Sequence, residues 1–404
     1  MNSSTPAHSN HTPFSNTFNL SILDNDFYKF TMQQAVIRLF PGASARYQFI
    51  NRGKHAFPPG LSIALRKAVD EMSTLRLSKE EKHFLQKNCP YLDPVYLDFL
   101  KGYTYDPGEV HIHQEGDQLR VEVEGLWYRT ILWEVPLMSL ICELFYLLTN
   151  ARRISDDEVI SRTREKIDRY RKLDITVAEF GTRRRHSYRV HRLVLQALSQ
   201  HGEGCFIGTS NVHMAMLQRT KPIGTHAHEW FMYHAAHYGF KMANALSLEN
   251  WVKVYRGDLG IALSDTYTTE VFFRQFDKMF SKLFDGVRHD SGDPLKFADQ
   301  LIAHYQRLGI DPATKTIIFS DGLNYEKVAR IAAHCRNKIG MSFGIGTTLS
   351  NDAGPPAMNI VIKMTEAKPG DDDWIPVIKL SDEPGKYTGS EQMIGLAKTI
   401  LKID

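Results

Sequence analysis

Cysteine is scarce in this chain. Its four residues, Cys89, Cys142, Cys205 and Cys335, are widely scattered and form no C-x-x-C pair. That excludes a disulfide framework and a zinc knuckle, and points to reduced thiols in a cytoplasmic protein. A large charge excess is missing too: 49 Lys+Arg against 46 Asp+Glu leave only +3 over 404 residues. So small a net charge speaks against non-specific coating of nucleic acid. The longest apolar run, WEVPLMSLICELFYLL (133–148), is interrupted by Glu134, Pro136 and Glu143. It is too short to span a bilayer and reads as a buried helix opening at Pro136. Residues 1–18 lack Lys, Arg and an apolar stretch of signal-peptide type, and read as a disordered tail. Neither nucleic acid nor a membrane is expected as a partner.

What is present is the composition of an ordinary globular protein, with 43% hydrophobic and 24% charged residues. The length accommodates two domains. Residues 19–135 mix helical spacing (FYKFTMQQAVIRLF, 27–40) with strand-like runs (ARYQFINR, 45–52; VEVEGLWYRTILWE, 121–134). They read as an α+β domain, completed by the strands and turns of 355–404. Over 136–354 short β-rich runs alternate with amphipathic helices. The runs are ITVAEF, CFIGTS, PIGTHA, GIALSDTY, GVRHDSG, TIIFSDG and FGIGTT. Such alternation implies a parallel sheet, and seven units fit an α/β barrel, irregular or incomplete, better than an open sheet.

Each run ends in polar, charged or glycine residues: FGTRRR, GTSN, GTHAHE, SDTY, RHDSGDP, SDGLN and GIGTT. In α/β barrels the C-terminal ends of the strands build the active site. FGTRRR offers three consecutive arginines, of which one or two can grip phosphate. In RHDSGDP, Arg288 and Asp290 face the site while Ser291 or Asp293 caps the helix opening at Pro294. Ser320, Asp321 and Gly322 of SDG, with Gly344, Gly346 and Thr347 of GIGTT, suit a phosphate loop pair.

GTHAHEW (224–230) is ambiguous on chemistry alone. His226 and His228, if both in strand geometry, share a face and suggest the metal pair of a hydrolase. Alternatively one is a nucleophile whose second nitrogen is fixed by a carboxylate, with Asp265 a candidate. Both could also be packed bystanders.

Taken together, EFGTRRR, GTSN, GTHAHEW, SDTY, RHDSGDP and LSDEPGK, with LDNDFYKFTM near the start, resemble the nicotinate phosphoribosyltransferase family, in its short bacterial form. The resemblance covers essentially all the chain after the tail. It implies a type II phosphoribosyltransferase fold working as a homodimer with shared active sites. It also implies an ATP-coupled conversion of nicotinate and phosphoribosyl diphosphate to nicotinate mononucleotide and pyrophosphate, the entry step of NAD salvage. A phosphohistidine carries the coupling, and Mg²⁺ arrives on the phosphates rather than in a protein cage. By the same resemblance His228 is the phosphorylated residue and Asp265 orients it. Phe180 and Tyr28 wall the pyridine, Tyr28 coming from the neighbouring subunit. Arg183, Arg288 and Asp290, with Thr209 and Ser210, contact substrate. Arg52, Lys379 and Lys386 are phosphate contacts from the partner chain. Ser210 stands where nicotinamide-using relatives carry an aspartate, which would repel a carboxylate; nicotinate is therefore the expected substrate. His226 is expected to be structural or solvent-facing.

Overall fold

The computed structural model describes residues 21–371, 373–383 and 386–403; the expected tail at 1–18 lies outside them. Two sheets organise the described residues. The first is antiparallel and contains β1 (Ser44–Asn51), β2 (Val110–Glu115), β3 (Gln118–Leu126), β11 (Ile360–Lys368) and β12 (Ile375–Pro376), in the order β12-β11-β1-β3-β2. The second is parallel and holds β4 (Thr176–Glu179), β5 (Phe206–Thr209), β6 (Lys221–Pro222), β7 (Ile261–Leu263), β8 (Gly286–His289), β9 (Thr316–Phe319) and β10 (Gly340–Ile345). Its order is β6-β5-β4-β10-β9-β8-β7. The seven β-rich runs of the sequence thus share one curled sheet, and backbone pairing leaves β6 and β7 as its edges.

The polypeptide returns to its start through β11. That strand lies antiparallel to β1, with Asn51 opposite Ile360 and Ser44 opposite Lys368. Residues 360–368 therefore stand beside residues 44–51 and bring the C-terminal segment over the barrel mouth.

Helices on the parallel sheet start where the sequence supplies caps. Ser187 Oγ accepts from Val190 N–H, and Asn324 Oδ1 accepts from Lys327 N–H. Asp293 accepts from Leu295 and Lys296 N–H just ahead of Pro294. Proline is tolerated there because the first helical N–H has no partner anyway.

The apolar run differs from its sequence reading. Its helix opens at Glu134, not Pro136, and a preceding turn extends the helical segment to Trp127–Leu148, 22 residues. Length and composition would let it cross a membrane, but 78% of its most apolar window is buried in the fold. It is a core helix, packed on both sides.

The run PIGTHA is also shorter than read. Pairing ends at Pro222, after which the chain leaves the sheet. A side chain at Gly224 would place its Cβ 2.9 Å from Tyr28 N, so only glycine lets the loop pass. The loop then reaches the opposite sheet edge. Thr225 Oγ1 donates to Ile261 O (3.2 Å), and Leu263 N–H donates to His226 Nε2 (3.2 Å). Side chains of 225 and 226 thereby satisfy β7 where an eighth strand would have stood.

Candidate active site

A cavity of about 430 Å³ opens where the C-terminal ends of the parallel strands face the antiparallel sheet. The strand ends supply Phe180, Arg183, Arg288, Asp290, Ser320, Asp321, Gly322, Gly344, Gly346 and Thr347 to its wall. His228 opens the helix His228–Tyr238 at its edge. Fifteen of the eighteen residues singled out in the sequence line this one space; Asp265, Thr209 and Ser210 do not.

His226 and His228 have separate environments. His226 is 1% exposed and packs edge-on against Phe231 and Trp251. Burial pushes its pKa down to about 3, with Arg288 adding to the effect. The two rings do not converge on one point: His226 Nε2 is taken by Leu263 N–H, while His228 opens a helix and turns its Nε2 to Asp290 and Lys379. A histidine pair clamping one metal does not form.

His228 is held from both nitrogens. Nδ1 lies 3.1 Å from Thr266 Oγ1, and Nε2 lies 3.1 Å from Asp290 Oδ2 and 2.9 Å from Lys379 Nζ. Thr266 is buried behind the ring while Asp290 and Lys379 line the cavity, so Nε2 is the exposed nitrogen. Burial and the Lys379 ammonium lower the His228 pKa against the pull of Asp265 and Asp290. A lowered pKa favours the neutral imidazole, the form a nucleophile requires.

The carboxylate closest to this ring is Asp290. Asp265, expected as the orienting group, stands 3.7 Å away and is itself engaged by Ser291 Oγ (2.6 Å) and Lys379 Nζ (3.1 Å). The reason is the exit of β8, which carries Asp290 past the strand end to the cavity while Asp265 stays buried at 1%. Burial disfavours the charge on Asp290, yet the Arg288 guanidinium holds its carboxyl well below the usual range. His228, Asp265 and Asp290 place donor atoms within 4.8 Å of one another, a group of a size that can hold a cation. Lys379 and Arg288 already give both carboxylates a positive partner.

Further along the wall, Arg288 Nε donates to Ser320 Oγ (2.8 Å), and its Nη2 lies 2.9 Å from Asp290. Asp321 stands 3.5 Å from Lys386 Nζ. The glycine loop after β10, expected to hold phosphate, is followed by only four helical residues, Thr347–Ser350, so little helix dipole backs it. Phe180 packs against Gly344, where any Cβ would lie 2.3 Å from the ring. Tyr28 lines the same cavity.

Tyr28, Arg52, Lys379 and Lys386, expected from a neighbouring subunit by the resemblance, line the cavity beside His228 within one chain. The β1–β11 pairing is what brings them there. Thr209 and Ser210 lie behind the wall: Thr209 Oγ1 donates to Glu179 (2.6 Å), and Ser210 Oγ donates to Asp26 Oδ1 (2.7 Å).

The sequence reading missed an ion cluster beneath Tyr28. Lys29 Nζ, fully buried, pairs with Glu134 (2.6 Å) and Glu229 (2.7 Å). Glu134 also holds Arg183 at 3.2 Å. The carboxylates inside LWEVP and AHEW were its only signal.

Residues 175–403 match the family model described as the nicotinate phosphoribosyltransferase family, and residues 23–142 match the model for its N-terminal domain. The chain belongs to the nicotinate phosphoribosyltransferase family. A nicotinate phosphoribosyltransferase of Chromohalobacter salexigens is 63% identical over 383 residues, which cover 95% of this chain and 98% of that protein. The crystal structure of the family's Porphyromonas gingivalis enzyme superposes with a TM-score of 0.92 at 43% identity, covering 95% of this chain and 99% of the other. That from Vibrio cholerae gives 0.91 at 35% identity, covering 97% and 95%. The half-barrel and its antiparallel partner sheet are thus the fold of this family.

Proposed function

We propose that the chain transfers the phosphoribosyl group of phosphoribosyl diphosphate to nicotinate, yielding nicotinate mononucleotide and pyrophosphate. Family membership and a cation-lined cavity at the strand ends support this reading. The pyridine nitrogen attacks the anomeric carbon as the bond to pyrophosphate breaks. The residues have mainly to position two reactants and to stabilise the leaving charge. Tyr28 and Phe180 provide flat apolar faces for the ring. Arg288, anchored by Ser320 and Asp290, offers a fixed fork to phosphate oxygens. Magnesium bound to the phosphates would add positive charge at the leaving group; the donors present suit an ion delivered by substrate better than a protein cage.

ATP coupling forms part of the same reading, and the setting of His228 is the single observation that carries it. With Nδ1–H donating to Thr266, Nε2 keeps a lone pair toward the cavity. That nitrogen attacks the γ-phosphorus of ATP, a P–N bond forms and ADP leaves. Lys379, beside Nε2, turns to the phosphoryl oxygens, and Asp265 and Asp290 stabilise the positive charge the ring acquires. Water later hydrolyses the P–N bond. The family likeness further supports a homodimer in the cytoplasm, at the entry to NAD salvage.

The test is pyrophosphate release from phosphoribosyl diphosphate with nicotinate or nicotinamide, with and without ATP. Nicotinate-dependent release, stimulated by ATP, is expected. Release that is indifferent to nicotinate sinks the assignment. Incubation with γ-labelled ATP should label the protein in an acid-labile form, and His228→Ala should lose the label. Label retained in that variant moves the nucleophile elsewhere.

A further inference from the structure

A lysine is almost never fully buried unless its charge is paired. Lys29, on the helix Phe27–Leu39, is 0% exposed and directly follows Tyr28, a wall of the cavity. Other elements converge on its ammonium. Glu134, from the helix Glu134–Leu148, reaches it at 2.6 Å, and Glu229, from the helix His228–Tyr238, at 2.7 Å. The ring of Tyr47 on β1 lies 5.8 Å away, and that of Tyr28 lies 5.5 Å away. Burial disfavours the charge on Lys29, yet Glu134 and Glu229 raise its pKa above the ordinary value.

Glu134 is divided between two cations. Its Oε2 meets Lys29, and its Oε1 meets Arg183 Nη1 at 3.2 Å. Arg183 thus receives one oxygen from a group that has two. Asp26 does not make up the difference: its Oδ2 stands 3.8 Å from Arg183 Nε, and its Oδ1 accepts from Ser210 Oγ. The Arg183 side chain stays 40% exposed and lines the cavity. Arg185, two residues on, shows the other outcome. Both oxygens of Asp24 take its terminal nitrogens, at 2.7 and 2.8 Å, and that guanidinium is buried.

Burying a set of charges is costly, and well-packed apolar residues often serve stability as well or better. The cluster therefore calls for a role besides stability. Glu229 holds Lys29 from the far side and keeps the ammonium on Glu134. We propose that Lys29 is a positioning residue: by taking one oxygen of Glu134, it limits Arg183 to a single bond with that carboxylate and leaves the rest of the guanidinium free for substrate. The inference rests on the phosphoribosyl-transfer reading, and it takes the ring side, beside Tyr28, as the place where Arg183 meets nicotinate.

Lys29→Met alone leaves Glu229 buried without its cation and endangers folding. Lys29→Met/Glu229→Gln removes the pair together and keeps the buried charge balanced. The KM for nicotinate is measured at saturating phosphoribosyl diphosphate and ATP. In this double variant it should rise about tenfold or more, with kcat within about threefold, as both oxygens of Glu134 close on the Arg183 fork. Adding Glu134→Gln releases the fork and should return KM to within about threefold of wild type. A purely structural cluster would lose further at that step. Labelling of His228 by γ-labelled ATP should persist in both variants, since residues 266, 290 and 379 hold its ring. An unchanged nicotinate KM in the double variant overturns the proposal. So does a KM that worsens when Glu134→Gln is added, or a label lost together with affinity. Wild-type protein that turns over no nicotinate would instead undo the reading beneath, and this inference with it.

Discussion

At the scale of single residues, two histidines of one heptapeptide do opposite work. His226 accepts a backbone hydrogen bond from β7 and fills space between Phe231 and Trp251. His226→Ala removes both. It should cost about 3 kcal/mol, measured by urea unfolding, from the cavity and the orphaned Leu263 N–H. His228→Ala, at the cavity edge, should cost about 1 kcal/mol or less and lose the phosphoryl label. A stability loss of equal size in both variants would contradict this division. The ambiguity of GTHAHEW was real in the sequence, because the H-x-H spacing carries no sign of whether it lies on a strand. What decides it is the helix start at His228, and the neighbours that reveal it come from residues 263, 266, 290 and 379. Ser210 shows the same limit. Its place in the motif was legible, but the hydrogen bond from its hydroxyl to Asp26 was not. A carboxylate there would meet Asp26 and compete for Arg183. Ser210→Asp should therefore raise the KM for nicotinate tenfold or more, about 1.4 kcal/mol of lost binding. An unchanged KM would show that position 210 does not act through Asp26.

At the scale of elements, strand–helix alternation made the half-barrel readable, since parallel strands covered on both faces appear as short apolar runs. The antiparallel sheet was less so. Its central pairing, β1 with β11, joins residues more than 300 apart in sequence, and no local pattern encodes it. The helix Glu134–Leu148 was recognised by its apolar content, while the tasks of its acidic residues were not. Glu134 pairs with Lys29 and Arg183; Glu143 accepts from Tyr188 N–H at 3.0 Å. Burial raises the Glu143 pKa to about 7 even with Arg185 near. The folded protein thus holds a proton that the unfolded chain releases near the ordinary carboxylate pKa. Its contribution is fully present below that value and is lost as pH rises through about 7. Glu143→Gln keeps an acceptor for Tyr188 and needs no proton. The variant should gain on wild type between pH 5 and pH 8, by on the order of 2 kcal/mol. Parallel stability curves across that range would place the ionisation elsewhere.

At the scale of the whole molecule, buried neutral histidines set the acid limit. His226 and His234 are at most 1% exposed, and burial pushes each pKa down to about 3. Both rings use a lone pair structurally. His226 Nε2 accepts from Leu263 N–H, and His234 Nε2 accepts from Asn250 while its Nδ1 donates to Trp230 O. Protonation would replace each acceptor with a donor facing a donor. The unfolded chain has no such restriction and takes up these protons near pH 6.5. The stability they represent is complete above pH 6.5 and drains away as pH falls toward about 3. Two protons correspond to a slope of about 2.7 kcal/mol per pH unit once the unfolded chain is fully charged. Glu143 pulls the other way between the ordinary carboxylate range and about pH 7, with half the slope of the two histidines, so maximal stability should fall near pH 7. Urea unfolding from pH 5 to 8 measures this directly. His234→Gln, which can still accept from Asn250, should reduce the acid slope by about 1.4 kcal/mol per pH unit. A slope that is unchanged in that variant, or flat in the wild type below pH 6, would mean that these rings open to water before the fold is lost.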